Sequence, residues 1–450
     1  MADPNFNYQS IQNQPHHEHE VTKDEEEEEP KVSTLELFSD LVIVVAIHVV
    51  ATPLEESHFN EFGLYFARVF YLWLAWHMMT IFMNAAVLMK SSNCPIHNSF
   101  IFVWMAFILH MSQAFSVNND MIAALWYLFL RAFETAIYWR SMIHPYKAIK
   151  LADGSMTLSV SDDWLKAMSD YIPVMVFTFI FCEFIPLSLA VYWGHHDDLY
   201  SPMVATSIVL IILSFFVGAV RAVGKQNGNQ GQQQQMSKDA NVINGFDVEH
   251  FEERYELISL IFTGELCFAA GTPGNSVGAY GVLFMAFSVY LLTFKSHPLN
   301  GVKFWARGIL YSVAGLFLYA GIFCAIPAIG SAFVRIVESE QKEEEEEEVE
   351  GSVSAGELLC YSAGAFMILS AFLNLMHVDP DGSAAPKISL RNRGLIRIFV
   401  GLIIWSLSVL IPDKVEFQGA PLASIVVPFL ALVTCSIEIW AVGSLKIAFE

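Results

Sequence analysis

Apolar residues in this chain fall in long unbroken blocks rather than in alternating or amphipathic patterns. Each block is about 18–25 residues long, the length a helix needs to cross a hydrocarbon core of about 30 Å. In the first part of the chain they cover residues 34–51, 64–89, 99–117, 121–143, 171–193 and 202–222. A second set covers 251–271, 277–295, 305–329, 352–376, 394–411 and 423–446. Blocks that are continuous rather than alternating predict helices, not a barrel, because only those two structures satisfy the backbone within lipid. The expected fold class is an all-α integral membrane protein with about twelve transmembrane helices. It divides into two six-helix halves, 34–222 and 248–450. Residues 1–33 read as a disordered acidic tail, 223–247 as a flexible linker rich in Gly, Gln and Asn, and 336–351 as a Glu-rich loop.

Composition agrees with the pattern. Of 450 residues, 54% are hydrophobic and only 16% charged, where soluble chains hold about 45–50% and about 25%. The net charge of −22 and the lack of any basic cluster exclude nucleic acid as a partner. Much of the acidity lies in two runs, Asp24 to Glu29 and Glu338 to Glu350, which read as solvated segments or as weak traps for divalent cations. The cysteines Cys94, Cys182, Cys267, Cys324, Cys360 and Cys435 form no CxxC, so they read as small core residues rather than a disulfide or zinc framework. The cluster His195-His196-Asp197-Asp198 reads as solvated loop, with weak metal binding as the alternative. The first 33 residues contain no apolar signal-peptide core, so targeting is expected from a transmembrane segment.

Lys and Arg set the expected orientation. Of the 24, eighteen fall on the side holding the N-terminus, the even-numbered loops and the C-terminus. Arg335, Lys342 and Lys414 fall opposite, and Arg68, Arg131 and Arg254 lie in or at the edges of spans. Both termini are therefore expected in the cytosol. The halves also read as a parallel repeat: placing Asp40-Leu41 on Glu256-Leu257 brings Glu36 onto Glu252.

Ionisable residues at bilayer depth carry the chemical information, because each costs at least about 2.5–3.5 kcal/mol to insert. On the first helix Glu36 and Asp40 share a face, with His48 two turns beyond. They read as relay groups, or as acids favoured at a helix start. The second helix carries Trp73, Trp76, His77, Thr80 and Asn84, and Trp73, Trp76, Thr80 and Asn84 form one stripe expected to pack helices together. The fourth helix holds Arg131 and Glu134 near mid-span, close enough to pair, with Asp40, Glu183 and Glu265 as further candidate partners for Arg131. On the seventh helix, Glu252, Glu256, Ser259 and Thr263 form a polar stripe expected to face protein or water, with Arg254 and Glu265 on a nearby face. Glu265 is the strongest single candidate. No P-loop, GxSxG, HExxH or dinucleotide fingerprint occurs. We therefore expect no soluble-enzyme chemistry, no metal site and no cofactor, with intramembrane lipid chemistry as a distant alternative.

These residues also carry a resemblance. Leu35-Glu36-Leu37-Phe38-Ser39-Asp40-Leu41-Val42 resembles the ELFFDLVFV signature of the low temperature requirement A (LtrA) family of membrane proteins. His250-Phe251-Glu252-Glu253-Arg254-Tyr255-Glu256-Leu257, closing at Gly264-Glu265, resembles the same family's second segment. The tryptophan stripe and Tyr127…Arg131 are similar to family positions. Ser39 stands where that signature has a second Phe. The resemblance spans about 34–445 and implies a multi-pass membrane protein without supplying a substrate. Phe38-Ser39-Asp40 is also similar to a signature of lysosomal potassium channels, but its preceding Arg and its repeat in the second half are missing.

Two functions remain open from sequence. One is a transporter or channel for a small ion or solute, proton-coupled through intramembrane carboxylates. The other is a non-transporting protein for stress adaptation, lipid sensing or scaffolding, whose buried charges are struts. Membrane lipid is the expected neighbour in either case, and a homo-oligomer is compatible with both.

Overall fold

The fold is taken from a computed structural model. It describes residues 34–55, 62–88, 95–117, 119–143, 149–150, 156–157, 176–193, 197–228, 242–243, 246–271, 276–295, 309–338, 354–377, 388–410, 416–417 and 420–442. Twelve helices occur among them, one for each apolar block. They are α1 (Thr34–Glu55), α2 (Phe62–Leu88), α3 (Pro95–Ser116), α4 (Asp120–Ile143) and α5, a π-helical stretch Thr178–Phe184 continuing as Ile185–Trp193. Next come α6 (Asp197–Gly228), α7 (Val248–Gly271) and α8 (Ser276–Tyr290, with a π-helical end Leu291–Lys295). The last four are α9 (Ile309–Glu338), α10 (Ala355–Met376), α11 (Leu390–Leu410) and α12 (Ala423–Val442). The remaining regular structure is three antiparallel pairings of two residues each.

Nine of these helices are long and apolar enough to cross a membrane, and α5 and α8 are shorter apolar helices. The protein is an all-α polytopic membrane protein. The α6 helix continues through Gly228, five residues past the expected start of the linker. The acidic tail, the Glu-rich run from 339 on, His195, His196, Cys94 and the turn at 272–275 lie outside the described residues.

Burial ranks the helices by depth. In α2, 94% of the span is buried, against 33% for α6 and α11. The α2 helix is therefore the central post, and its Trp73, Trp76, Thr80 and Asn84 stripe is wholly interior. The outer helices present bare apolar side chains such as Val209, Leu213, Phe399 and Leu402, as a lipid-facing surface should.

Lipid offers no hydrophobic force between helices, so packing rests on close approach and hydrogen bonds. The α10–α11 crossing shows the first device. A Cβ on Gly364 would meet the Gly401 carbonyl at 2.9 Å, and a Cβ on Gly401 would meet the Gly364 carbonyl at 3.0 Å. Prolines supply the second, because a proline donates no hydrogen bond and loosens the preceding turn. The Ser207 hydroxyl donates to the Cys182 carbonyl (2.6 Å), four residues before Pro186. The Tyr65 hydroxyl donates to the Cys324 carbonyl (2.6 Å), just ahead of Pro327. Four residues before Pro428, the Ser424 carbonyl lies where a Cβ on Gly281 would approach to 2.4 Å.

These contacts predict an asymmetry among glycines. Gly364→Val should destabilise the protein by about 1–3 kcal/mol through overpacking. Gly264→Ala, with nothing within 4 Å of the added Cβ, should be neutral or stabilising, since Ala favours a helix over Gly. Thermal unfolding in one detergent checks both.

Candidate functional site

Three sets of buried charges are built from the helices. The first joins α1, α2 and α7. Asp40 and Arg254 each sit about two turns into their helix, both with 0% exposure. Asp40 Oδ1 accepts hydrogen bonds from Arg254 Nη2 and from Trp76 Nε1, the latter at 2.7 Å. Arg254 also reaches Met83 Sδ (2.8 Å) and Ser39 Oγ (3.4 Å), and Ser39 in turn donates to the Glu36 carbonyl (2.7 Å). One turn away, His250 Nε2 lies 3.8 Å from Glu36 Oε2. Tyr255 OH and His77 Nδ1 are hydrogen-bonded at 2.9 Å, and the His77 ring stacks on Trp73 with centroids 5.4 Å apart. Asp40 Oδ2, Arg254 Nε and His77 Nε2 find no hydrogen-bond partner among the described residues.

The second set lies near the middle of α4 and on the π-helical turn of α5. Arg131 holds Glu183 with a two-pronged grip, Nε to Oε2 at 2.8 Å and Nη2 to Oε1 at 3.1 Å. Arg131 Nη1 donates to Glu134 Oε2. Trp104 Nε1 donates to Glu134 (2.9 Å) and Tyr127 OH to Glu183 (3.1 Å). All three charged residues are at most 2% exposed. Two carboxyl groups thus face one guanidinium, and with both ionised one negative charge is in excess. The widened π turn aims Glu183 inward while Phe181 and Phe184 stay outside. Such turns recur at functional sites.

The third set joins α11 and α12. Arg397 and Glu438, both 0% exposed, form a forked pair at 2.5 and 2.6 Å. The remaining Arg397 donors reach the Ser370 carbonyl (3.4 Å) and the Leu292 carbonyl (3.3 Å), the latter on the π-helical end of α8. Here charge is balanced one to one.

The sequence-predicted residues distribute as follows. Asp40 and Arg254 are brought together, with Glu36 beside them. Arg131, Glu134 and Glu183 form the second set. Of the three further partners expected for Arg131, the structure selects Glu183, while Asp40 goes to Arg254 and Glu265 to the periphery. There Glu265 Oε2 lies 3.8 Å from His48 Nδ1, with side chains 23% and 57% exposed.

The stripe on α7, expected to face protein or water, is part buried and part open: Ser259 and Thr263 are buried and Glu256 is exposed. The stripe straddles the edge of the buried face. Short Ser259 and Thr263 bond back to the Tyr255 and Ser259 carbonyls (2.7 and 2.8 Å), and Glu256 falls on the outer side. The Glu252 side chain lies outside the described residues.

Sequence reasoning also missed partners. Arg393 and Arg397, counted among loop cations, are buried in α11; removing two from eighteen leaves the charge imbalance intact. Glu438, the lone acid in the last apolar block, was the signal that a buried cation awaited it. His77, His250, Tyr255 and Trp104 emerge only once helices are placed side by side.

The first set generates a double-mutant prediction. Removing one charge of a buried pair strands the other, at a cost of about 3–5 kcal/mol. Arg254→Gln should therefore destabilise strongly, and Arg254→Gln with Asp40→Asn should recover most of the loss. Unfolding midpoints of the two singles and the double, read as a cycle, check it.

No curated protein and no solved structure matches the chain. The model of the bacterial low temperature requirement A protein (LtrA) family matches residues 31–445, nearly the whole length and both segments that build the Asp40–Arg254 set. The chain belongs to the LtrA family of multi-pass membrane proteins.

Proposed function

We propose that this protein carries a small ion or solute across the bilayer, coupled to a proton, with Arg131, Glu134 and Glu183 as its centre. The observation that carries this reading is the charge count of that set. Two carboxylates on one guanidinium near mid-span leave an excess charge that a low-dielectric surrounding disfavours. A bound proton or cation neutralises it, and losing that ion restores the charge. The site can therefore hold two states without rebuilding the helices around it. Asp40–Arg254 and Glu36–His250 belong to the cytosolic half of the helices if both termini are cytosolic, as the Lys and Arg distribution supports. His48–Glu265 is open enough for solvent ions to screen and takes a lesser part.

A second reading has its own support. Arg397–Glu438 is a closed pair in which every charge is complemented, which is how a strut looks. If all three sets are struts, the protein is a sensor or scaffold with nothing to transport.

Flux into liposomes separates the two. The purified protein is reconstituted under a pH gradient, with Na⁺, K⁺ and Cl⁻ varied in turn. Wild type is expected to carry flux. Glu183→Gln should lose it while remaining monodisperse, and Glu265→Gln should retain most of it. Silence of folded wild type under every gradient would return the sets to struts.

A further inference from the structure

A cavity lies beside the second set. An ion pair between α2 and the start of α4 is part of its lining. Arg68 Nε donates to Asp120 Oδ1 (2.8 Å) and Nη2 to Oδ2 (2.9 Å). The Arg68 guanidinium is also held 5.3 Å above the Phe115 ring. The Arg68 side chain is 3% exposed and Asp120 18%, so the pair bridges interior and surface. The space is about 20 Å³, and Tyr71, Tyr127, Leu187 and Val204 also line it. That suffices for about one water molecule, which needs at least about 10–15 Å³ and two to four polar partners. Arg68, Tyr71, Asp120 and Tyr127 are the residues with polar side-chain atoms among its lining, which is otherwise apolar. Because Tyr127 gives its proton to Glu183 Oε2 at 3.1 Å, its oxygen lone pairs remain to accept from water.

We propose that this cavity is a hydrated entry site. Water from the face opposite the termini passes the Arg68–Asp120 pair, which acts as its lid, and meets Tyr127, one hydrogen bond from Glu183. Water is the ligand, and protons carried on it reach the second set through the phenol. The use of this route rests on the transport reading; its hydration does not. The arrangement gives Tyr127 a task that packing alone does not require. It explains why a forked ion pair lies in an otherwise apolar wall built by Leu64, Ala67, Ala123 and Ala124.

Hydroxyl radicals are water-sized and report water contact directly. Radiolytic footprinting of the full chain in nanodiscs, read by mass spectrometry, compares Tyr127 with Tyr255. The two are 1% and 0% exposed, so burial alone predicts equal protection. Tyr127 is expected to be oxidised several-fold faster than Tyr255 in wild type. Asp120→Asn, which loosens the lid, should raise its rate further, and Ala124→Leu, which fills the space, should bring it down to that of Tyr255. Equal rates for Tyr127 and Tyr255 in wild type overturn the proposal, with no variant needed. An unchanged Tyr127 rate in Asp120→Asn overturns the lid. Fast oxidation of Tyr127 in a protein that carries no flux upholds the water site and counts against transport instead.

Discussion

A charge inside a bilayer-spanning protein must find its complement on another helix, and the whole arrangement depends on that demand. Desolvating an ion is worth more than any single packing contact here, so a stranded charge cannot be tolerated. Asp40, Arg131, Glu183, Arg254, Arg397 and Glu438 are all at most 2% exposed, and each is met across a helix boundary. The pairs therefore fix which helices are neighbours: α1 with α7, α4 with α5, α11 with α12. In the Asp40–Arg254 pair the partners are 214 residues apart in sequence, so one interaction ties the start of the chain to its second half. Trp76, on the central α2, serves the same carboxylate and locks that contact against the most buried helix.

Uncharged polar groups obey the same demand at smaller scale. Each helix satisfies its own backbone until a proline or a π turn interrupts the ladder. The exposed carbonyls are then answered from neighbouring helices: Cys182 by Ser207, Cys324 by Tyr65, and Leu292 by Arg397. A break in a helix thus becomes a link between helices. That is why Pro327 and Pro428 sit inside long spans here without unmaking them, and why Gly281 faces the Ser424 carbonyl with no side chain of its own.

How much of this could be read from sequence follows from what each signal depends on. Helix existence depends on local hydropathy, so all twelve blocks were legible. The Arg131–Glu134 pair was legible because residues three apart on one helix are always neighbours. Asp40 and Arg254 were each marked by depth, but nothing local says that they meet. Arg397 failed for a different reason: it lies so near the start of its apolar block that hydropathy reads it as loop, and only its acid partner on α12 reveals its burial. Spacing placed Glu256, Ser259 and Thr263 on one stripe but could not place the edge of the buried face, which leaves Glu256 exposed and the other two inside. The family resemblance supplied the two segments of the first set but said nothing of Glu438 or of the cavity beside Arg68.

The sets differ in balance, and balance decides what each can do. Arg397–Glu438 and Asp40–Arg254 are one-to-one; removing a proton or adding an ion to either creates a charge where none was net. Such pairs resist change, which suits holding helices in place. The Arg131 set begins from the opposite condition, with two carboxylates sharing one cation. It is served by two neutral donors, Trp104 and Tyr127, that soften the excess without cancelling it. With both carboxylates ionised this set gains by taking up a positive charge, as does the first set when Glu36 is counted with Asp40 and Arg254. The Arg131 set is also the one that a π turn opens and a cavity approaches. The features that make it costly to bury are the ones that let it change state.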